Sequence, residues 1–358
     1  MNISIEKKLE DINNILRQET PGIKNSGLLN GKMGVSLYFF HLASETETPE
    51  RQEFAEQLID EVYEEVSKNQ LPPDFENGLA GIAWGIEHLV QHGFVEAETD
   101  LILRDVDDKI YRFITTNHVI PAGVQQGVIG YMMYILSRLN GMDPDSKNTS
   151  TIIFKRLLTE LINRLGTAIE ENKLRIREPR LFDITWDLPI SLILLGQCYG
   201  RNIHTTKIER ILEHLTYEVL ALYPRYMCHR LYLLYGIESV FKYIDLPGWK
   251  QHAGLLKQGI QIDNIQYDEL KDKSIHFRNG ITGIAFIINQ YVELTEDRSF
   301  LLRKENLIHK LISSEFWEWM IHVQPVKKIN PGLLAGLAGV AMHLLELLKD
   351  QPEKMTVL

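Results

Sequence analysis

The sequence is poor in cysteine, in long apolar runs and in β-strand patterns. Two cysteines in 358 residues do not make a disulfide framework, which suits a reducing compartment. No window approaches the roughly 20 apolar residues that span a bilayer. The N-terminus also has no apolar core of the signal-peptide type. We therefore expect a cytoplasmic protein that does not insert into a membrane.

Positive charge is also scarce. Lys and Arg total 38 against 48 Asp and Glu, which gives a formal net charge of −10. An acidic chain is a poor nucleic-acid binder, so we expect no nucleic-acid partner. The hydrophobic fraction of 44% and the charged fraction of 24% are those of an ordinary globular protein.

Glycine, by contrast, is placed in a regular pattern. Five times a glycine, two other residues and a second glycine precede an apolar run. The first glycines of these pairs are Gly31, Gly78, Gly127, Gly280 and Gly336. Neighbouring copies are 47, 49 and 56 residues apart, and the one large gap of 153 residues is three steps of 51. The period predicts two hidden copies, near residues 178 and 229, and so seven units stacked or closed on themselves.

Two kinds of helix alternate along the chain. One kind is amphipathic and charged, as in residues 51–67, and the other follows each glycine pair and is apolar nearly all round, as in residues 284–288. A helix that is apolar on every side is buried. The alternation therefore predicts outer and inner helices, which together make an α/α toroid.

The predicted fold is all-α, with about seven helix-pair repeats in a single domain over residues 1–358. An N-terminal helix occupies residues 1–24, and the repeats cover about 25–345. The inner helices of the two hidden repeats should begin near 187–189 and 228–232.

The glycine pairs themselves have a packing explanation. Glycine lacks the Cβ that blocks close approach, so Gly81 and Gly339 should lie in crowded helix starts. Asn30, Asn77 and Asn279 directly precede a first glycine and are a favoured N-cap type.

Residues 75–85 and 333–341 resemble the repeat of the lanthionine synthetase C-like family nearly residue for residue, and the resemblance covers about 25–345. It implies a toroid whose central cavity, in active members, holds a catalytic zinc. The zinc activates a peptide cysteine thiolate for addition to a dehydrated serine or threonine, which gives a thioether ring. The implied partners are a peptide substrate or precursor peptide and, as a further candidate, another maturation enzyme.

Most of the family's zinc site is missing from this sequence. The family takes one Cys from the fifth repeat and an adjacent Cys and His from the sixth, just before the glycine. The sixth repeat here has Arg278 and Asn279, which are poor zinc ligands. In the fifth repeat, Cys228 is the match for the first Cys. We expect an eroded site with no bound cofactor; if zinc is bound, Cys228 and His229 are its candidate ligands.

The family's acid and base positions also differ. Its third repeat carries an Asp four residues before the glycine, where this chain has Gly123. Its fourth repeat carries His-Gly, where this chain has Trp186 and Asp187. The remaining candidate catalytic residues are Asp187 and His229, as general acid or base.

Residues just before the inner helices should converge at one end of the barrel. The candidate substrate-binding residues there are Glu76, Gln126, Trp186, Arg278 and Asn279. Several have a plainer alternative. Trp186 is also suited to packing and Asp187 to helix capping. Cys198 suits a small buried residue, and His41, His88 and His343 suit core or helix-end positions.

Two functions remain open on this reading. The first is a lanthipeptide-type protein that binds or presents a peptide but has an eroded zinc site. The second is an active enzyme that uses another site in the cavity. This enzyme would be either a cyclase with a relocated metal or a carbohydrate-active α/α-toroid enzyme with paired carboxylates. Glu76 and Asp187 are the pair that the sequence offers for the latter.

Overall fold

The protein is known from a computed structural model that describes residues 2–68, 70–143, 148–270, 274–300, 312–313 and 330–349. This part of the chain is helical and contains no β-strand. Its helices are α1 (Asn2–Glu19), α2 (Lys32–Thr46), α3 (Pro49–Ser67), α4 (Leu79–Gln91), α5 (Thr99–Ile102), α6 (Arg104–Thr116), α7 (Val128–Asn140), α8 (Thr149–Glu170), α9 (Asp187–Gly200), α10 (Thr205–Ala221), α11 (Met227–Phe241), α12 (Trp249–Gln258), α13 (Ile262–Asn264), α14 (Ile281–Thr295) and α15 (Leu337–Lys349).

An inner ring is formed by α2, α4, α7, α9, α11, α14 and α15. Each of these helices packs against the next, and α15 contacts α2, which closes the ring. They are buried nearly all round: α7, for example, buries 11 of its 13 residues. The predicted starts of the two hidden inner helices agree with the structure, since α9 begins at Asp187 and α11 at Met227, within one residue of the predicted range.

The outer layer consists of amphipathic helices, namely α3, α6, α8, α10 and α12, with α1 packed against α15. In α6 the buried residues Val106, Ile110 and Ile114 recur every four positions. Asp105 and Asp108 are exposed, while Asp107 accepts a hydrogen bond from Arg138 in α7. The outer helix expected near residues 299–315 falls almost entirely outside the described residues. No helix in the described part is both long and apolar enough to cross a membrane.

Each glycine pair lets the preceding loop fold back onto the helix start. Gly78 is the N-cap of α4, and a Cβ on it would lie 2.1 Å from the carbonyl oxygen of Pro72. A Cβ on Gly81 would lie 2.1 Å from the carbonyl oxygen of Phe75 and 2.9 Å from Cβ of Leu28. Such distances are far inside van der Waals contact, so the crowding predicted from the sequence is confirmed.

The N-cap prediction for the asparagines is wrong. The N-caps of α2, α4 and α14 are the glycines themselves, in extended backbone and without a side-chain cap. Asn30 and Asn77 instead link neighbouring loops, as in the hydrogen bond that Asn30 Nδ2 donates to Glu76 Oε1 at 2.9 Å, and Asn279 bonds within its own loop. The physical reason is that the folded-back loop leaves no space at the helix start for a residue with a side chain.

Candidate functional site

The loops that precede the inner helices are joined by a chain of main-chain hydrogen bonds. Donor and acceptor each lie three residues before the start of their helix. The bonds run from Ile184 N to Arg278 O (2.8 Å), Arg278 N to Leu334 O (2.8 Å), Leu334 N to Leu29 O (2.9 Å), Leu29 N to Glu76 O (3.0 Å) and Glu76 N to Gln125 O (2.9 Å). The N-terminal ends of the inner helices therefore meet at one end of the barrel, which we call the mouth.

The fifth repeat is left out of this chain of bonds. The corresponding residue before α11 is Pro224, which has no N–H to donate. Ile184 of the fourth repeat instead bonds directly to Arg278 of the sixth. The hydroxyl of Tyr232 in α11 donates to the Ile184 carbonyl at 2.7 Å and holds the fourth loop over the start of α11.

Side-chain packing shows the same direct contact between the fourth loop and the sixth repeat. In the glycine-pair repeats, a side chain from the preceding loop lies beside the second glycine; Phe75 occupies this place next to Gly130. In the sixth repeat the second glycine is Gly283, and its neighbour is Phe182 from the fourth loop, 3.1 Å from a Cβ built on it. The fourth loop thus fills the place that the fifth loop would take.

A cluster of charged side chains joins the fourth loop to Arg278 of the sixth. Arg175 Nη1 lies 3.5 Å from Asp183 Oδ2, and Arg278 Nε lies 3.5 Å from Asp183 Oδ1. Asp183 Oδ1 also accepts hydrogen bonds from the Thr185 amide and hydroxyl. Burial acts to raise the pKa of Asp183, but these hydrogen bonds and the two guanidinium groups hold that pKa below its usual value. Both arginine side chains remain more than one-third exposed.

Asp187, a predicted catalytic residue, is the first residue of α9 and is buried. It does not cap the helix, since the N-cap is Trp186. The amide of Arg175 donates to Asp187 Oδ2 at 3.2 Å. Burial raises the pKa of Asp187, while the charge of Arg175 acts against the rise. Asp187 Oδ1 lies 3.7 Å from a Cβ built on Gly123, so the carboxyl adjoins the position where the family resemblance implies an Asp.

His229, the other predicted catalytic residue, is completely buried within the first turn of α11. Its Nδ1 lies 3.0 Å from Glu178 Oε2. Among the described residues, no group meets the distance and angle of a hydrogen bond to its Nε2. Burial lowers the pKa of His229, and Glu178 together with the Leu181 carbonyl acts in the opposite direction. The ring is therefore held neutral between Phe182 and Trp186.

Cys228 is buried beside a carboxylate of its own chain. Glu269 accepts hydrogen bonds from the amides of Met227 at 2.5 Å and Cys228 at 3.0 Å, and so occupies the N-terminus of α11. Burial, followed by the charge of Glu269, raises the pKa of Cys228. Cys228 also lies inside its helix, whereas Arg278 and Asn279 precede theirs.

The residues at this place do not fit a zinc ion. Cys228 lies beside the carboxylate of Glu269, which is already bonded to the amides of Met227 and Cys228. Arg278 is cationic, and Asn279 Oδ1 already accepts a hydrogen bond from Ser274 at 3.1 Å. In the described ranges, no group of three His, Cys, Asp or Glu residues is placed to hold a metal ion.

The predicted substrate-binding residues have different positions. Trp186 is completely buried and donates from Nε1 to the Ile176 carbonyl at 3.1 Å, so it packs rather than lining the mouth. Glu76 accepts from Asn30 and from Gln125 at 2.8 Å and ties two loops together. Gln126 is exposed at the mouth. Asn279 lines a narrow crevice over Cys228.

Arg175 and Asp183 were missed from the sequence. The available signal was the basic run in residues 173–180, which contains four Lys or Arg and one Glu. Its place at the mouth follows only from tertiary contacts. Cys198, in contrast, is completely buried near the end of α9, and its burial raises the pKa to about 12, as suits a small core residue.

A sequence profile described as "Lanthionine synthetase C-like protein" matches residues 4–172 and 250–357. The chain therefore belongs to the lanthionine synthetase C-like family. Comparison with curated proteins gives no match. Among solved structures, the fold is similar to that of nisin cyclase, with a TM-score of 0.65 and 14% sequence identity over 98% of this chain and 94% of that one. The architecture is accordingly an α/α toroid.

Proposed function

We propose that this protein binds a peptide at the mouth of its toroid in lanthipeptide-type modification, without zinc-dependent thioether formation. Membership of the lanthionine synthetase C-like family supports a peptide as the ligand. A second maturation enzyme is the candidate protein partner, to which a non-cyclising toroid would present the peptide.

One observation carries the proposal. The hydrogen bond from Ile184 to Arg278 draws the fourth loop across the place where the fifth and sixth repeats would supply metal ligands. The thiol of Cys228 lies under this loop with a raised pKa. A catalytic zinc site needs three protein donors and leaves its fourth position to the substrate thiolate. The described part of the chain offers no group of three His, Cys, Asp or Glu residues that could hold such an ion.

Elemental analysis of the purified protein tests the metal part of the proposal. We expect far less than one zinc per chain, and no change in metal content for Cys228→Ala. A stoichiometric metal that Cys228→Ala removes would contradict it.

A peptide with one cysteine and one dehydroalanine tests the chemistry. Cyclisation leaves the mass unchanged but removes the free thiol, so alkylation followed by mass spectrometry separates the two outcomes. We expect the peptide to bind in a titration and to remain fully alkylated. Arg278→Ala should weaken binding by about tenfold, since a charge-assisted contact is worth roughly 1.5–3 kcal/mol.

The second candidate is an enzyme that uses Asp187. Its raised pKa and its place beside Gly123 are the features of a general acid at the mouth. If such an activity exists, Asp187→Asn should abolish turnover and leave peptide binding within about twofold. The carbohydrate-active alternative, with Glu76 and Asp187 as a pair, stays a prediction, and Glu76 is already hydrogen-bonded to two neighbouring loops.

A further inference from the structure

The mouth carries a concentrated positive charge on an otherwise acidic protein. Residues 173–180, which we call the basic strap, contain Lys173, Arg175, Arg177 and Arg180 against one Glu. The whole chain has a net charge of −10. The outer helix α3 shows the contrast, with seven acidic residues and one basic residue.

The strap is fixed to the starts of two inner helices. The amide of Arg175 donates to Asp187 in α9, and the Ile176 carbonyl accepts from Trp186. Farther along, Glu178 accepts from the amide of Arg225 and contacts His229 in α11. These contacts anchor the backbone between Arg175 and Glu178 beside the starts of α9 and α11.

Part of this charge has no carboxylate partner among the described residues, although Lys173 pairs with Glu171. Arg177 and Arg180 are exposed, and neither makes a hydrogen bond or ion pair with a described residue.

Arg278 Nε lies 3.5 Å from Asp183, and Arg175 lies 3.5 Å from both Asp183 and Asp187, distances that are longer than a strong charge-assisted hydrogen bond. Arg175 Nη2 also donates to the Thr185 carbonyl, whereas Arg278, with a side chain 38% exposed, has one carboxylate partner among the described residues. Of these two guanidinium groups, that of Arg278 is therefore the more available to a further anion.

We propose that the basic strap and Arg278 bind an acidic segment of the peptide ligand. This inference rests on the proposed function, because it takes the mouth as the peptide-binding site. Arginine guanidinium groups match carboxylates in a planar, two-point geometry. Several carboxylates in an extended segment would contact successive arginines along the strap, while the acidic outer helices repel the same segment. Charge complementarity thus sets the place of binding.

The test uses the full chain and three fluorescein-labelled dodecapeptides of the same length, rich in Glu, Gln or Lys. Fluorescence anisotropy measures the Kd of each at low and at high salt. We expect the Glu peptide to bind at least about tenfold more tightly than the Gln peptide, with an affinity that falls as salt screens the charges. The Lys peptide should not bind.

Paired variants localise the effect. Arg177→Ala/Arg180→Ala removes two exposed charges and should weaken the Glu peptide by about tenfold or more. The matched control, Arg112→Ala/Arg210→Ala, removes two exposed charges from outer helices α6 and α10 and should change the Kd by less than about twofold. Unchanged melting temperatures show that both double variants are folded.

Three results would overturn the inference: equal binding of the Glu and Gln peptides, equal losses in the two double variants, or tighter binding of a single-stranded oligonucleotide of the same charge. The further inference and the proposed function can be told apart. If the Gln and Glu peptides bind equally at the mouth, the proposal of a peptide ligand is retained and only the preference for acidic peptides is wrong. If no peptide binds and zinc is stoichiometric, both are wrong.

Discussion

The glycine-pair repeats and the fourth and fifth repeats build the same inner helices by different means. In the former, glycine at the helix start admits a folded-back loop. In the latter, the N-caps are Trp186 and Tyr226, which have large side chains. The glycines of α9 and α11 lie inside the helices instead: a Cβ on Gly196 would be 2.4 Å from the Ser239 carbonyl oxygen, and one on Gly236 would be 3.1 Å from Pro189.

This difference shows where the chain has diverged. The family profile leaves residues 173–249 unmatched, and that interval contains the basic strap and helices α9, α10 and α11. Close contact has moved from loop against helix to helix against helix. The loops of the fourth and fifth repeats do not share the main-chain geometry of the other repeats, and the fourth loop bonds to the sixth.

Breaking a buried charge network should have the largest effect on the glycine-pair side. Arg138 in α7 donates to Glu87 in α4 at 2.6 Å and to Asp100 at 2.7 Å, and it is 1% exposed. Arg138→Met should lower the free energy of unfolding by about 3–5 kcal/mol, since Glu87 is left charged and buried. Chemical denaturation measures this. Arg112→Met, at an exposed site, is the control, and a loss below about 1 kcal/mol would contradict the prediction.

The second prediction concerns the glycine starts. Gly81→Ala should destabilise by about 1–3 kcal/mol, because the new Cβ meets the backbone of Phe75. Gly254→Ala is the matched control, since a Cβ there meets nothing within 4 Å and the change should stabilise α12 by up to about 1 kcal/mol. Equal changes in melting temperature for Gly81→Ala and Gly254→Ala would show that the crowding at Gly81 does not affect stability.

Acid should destabilise both regions through buried histidines. His41 Nε2 lies 2.9 Å from His88 Nε2 in the first two repeats. Burial, followed by the nearby positive groups, lowers the pKa of His41 to about 4 and that of His88 to about 3. Because each folded pKa is below the unfolded value, the stabilisation is complete above about pH 6.5 and is lost as the pH falls towards 4.

Urea titrations at pH 7.5 and 5 should therefore differ by about 1–2 kcal/mol. His88→Gln should reduce this difference, while His118→Gln, at an exposed site, should leave it unchanged. His41 contributes to the part that remains in His88→Gln, and so do His229 and His252, whose pKa values are also lowered by burial. Equal pH dependence in wild type and His88→Gln would rule out the contribution of the His41–His88 pair.

The smallest effect on stability should come from the hydrogen bond that holds the fourth loop over α11. Tyr232→Phe removes the hydrogen bond to the Ile184 carbonyl and should cost about 1 kcal/mol. Tyr63→Phe, at a 70% exposed position, should cost nothing measurable. Hydrogen exchange at the Ile184 amide should quicken in Tyr232→Phe, since the fourth loop is then held over α11 by fewer contacts. Unchanged exchange would mean that the bond to Arg278 suffices.

By itself, the sequence determined the toroid and the positions of its inner helices. A repeat of fixed length records local packing rules, so the spacing of the glycines predicted helix starts even where the glycines are missing. Burial of Cys198 followed from an apolar run in the same way.

Only the tertiary structure decided the chemistry of the mouth. Pro224 has no main-chain N–H to donate to the sixth loop. The amide of Ile184, 40 residues earlier in the sequence, donates to the Arg278 carbonyl instead. The same contact between the fourth and sixth loops buries Trp186 and brings Arg175 to Asp183. Residue types gave no sign of this, because which loop reaches which neighbour depends on contacts between segments far apart in the chain. Local patterns fix helices; long-range hydrogen bonds and burial fix the ionisation states and exposures on which the site depends.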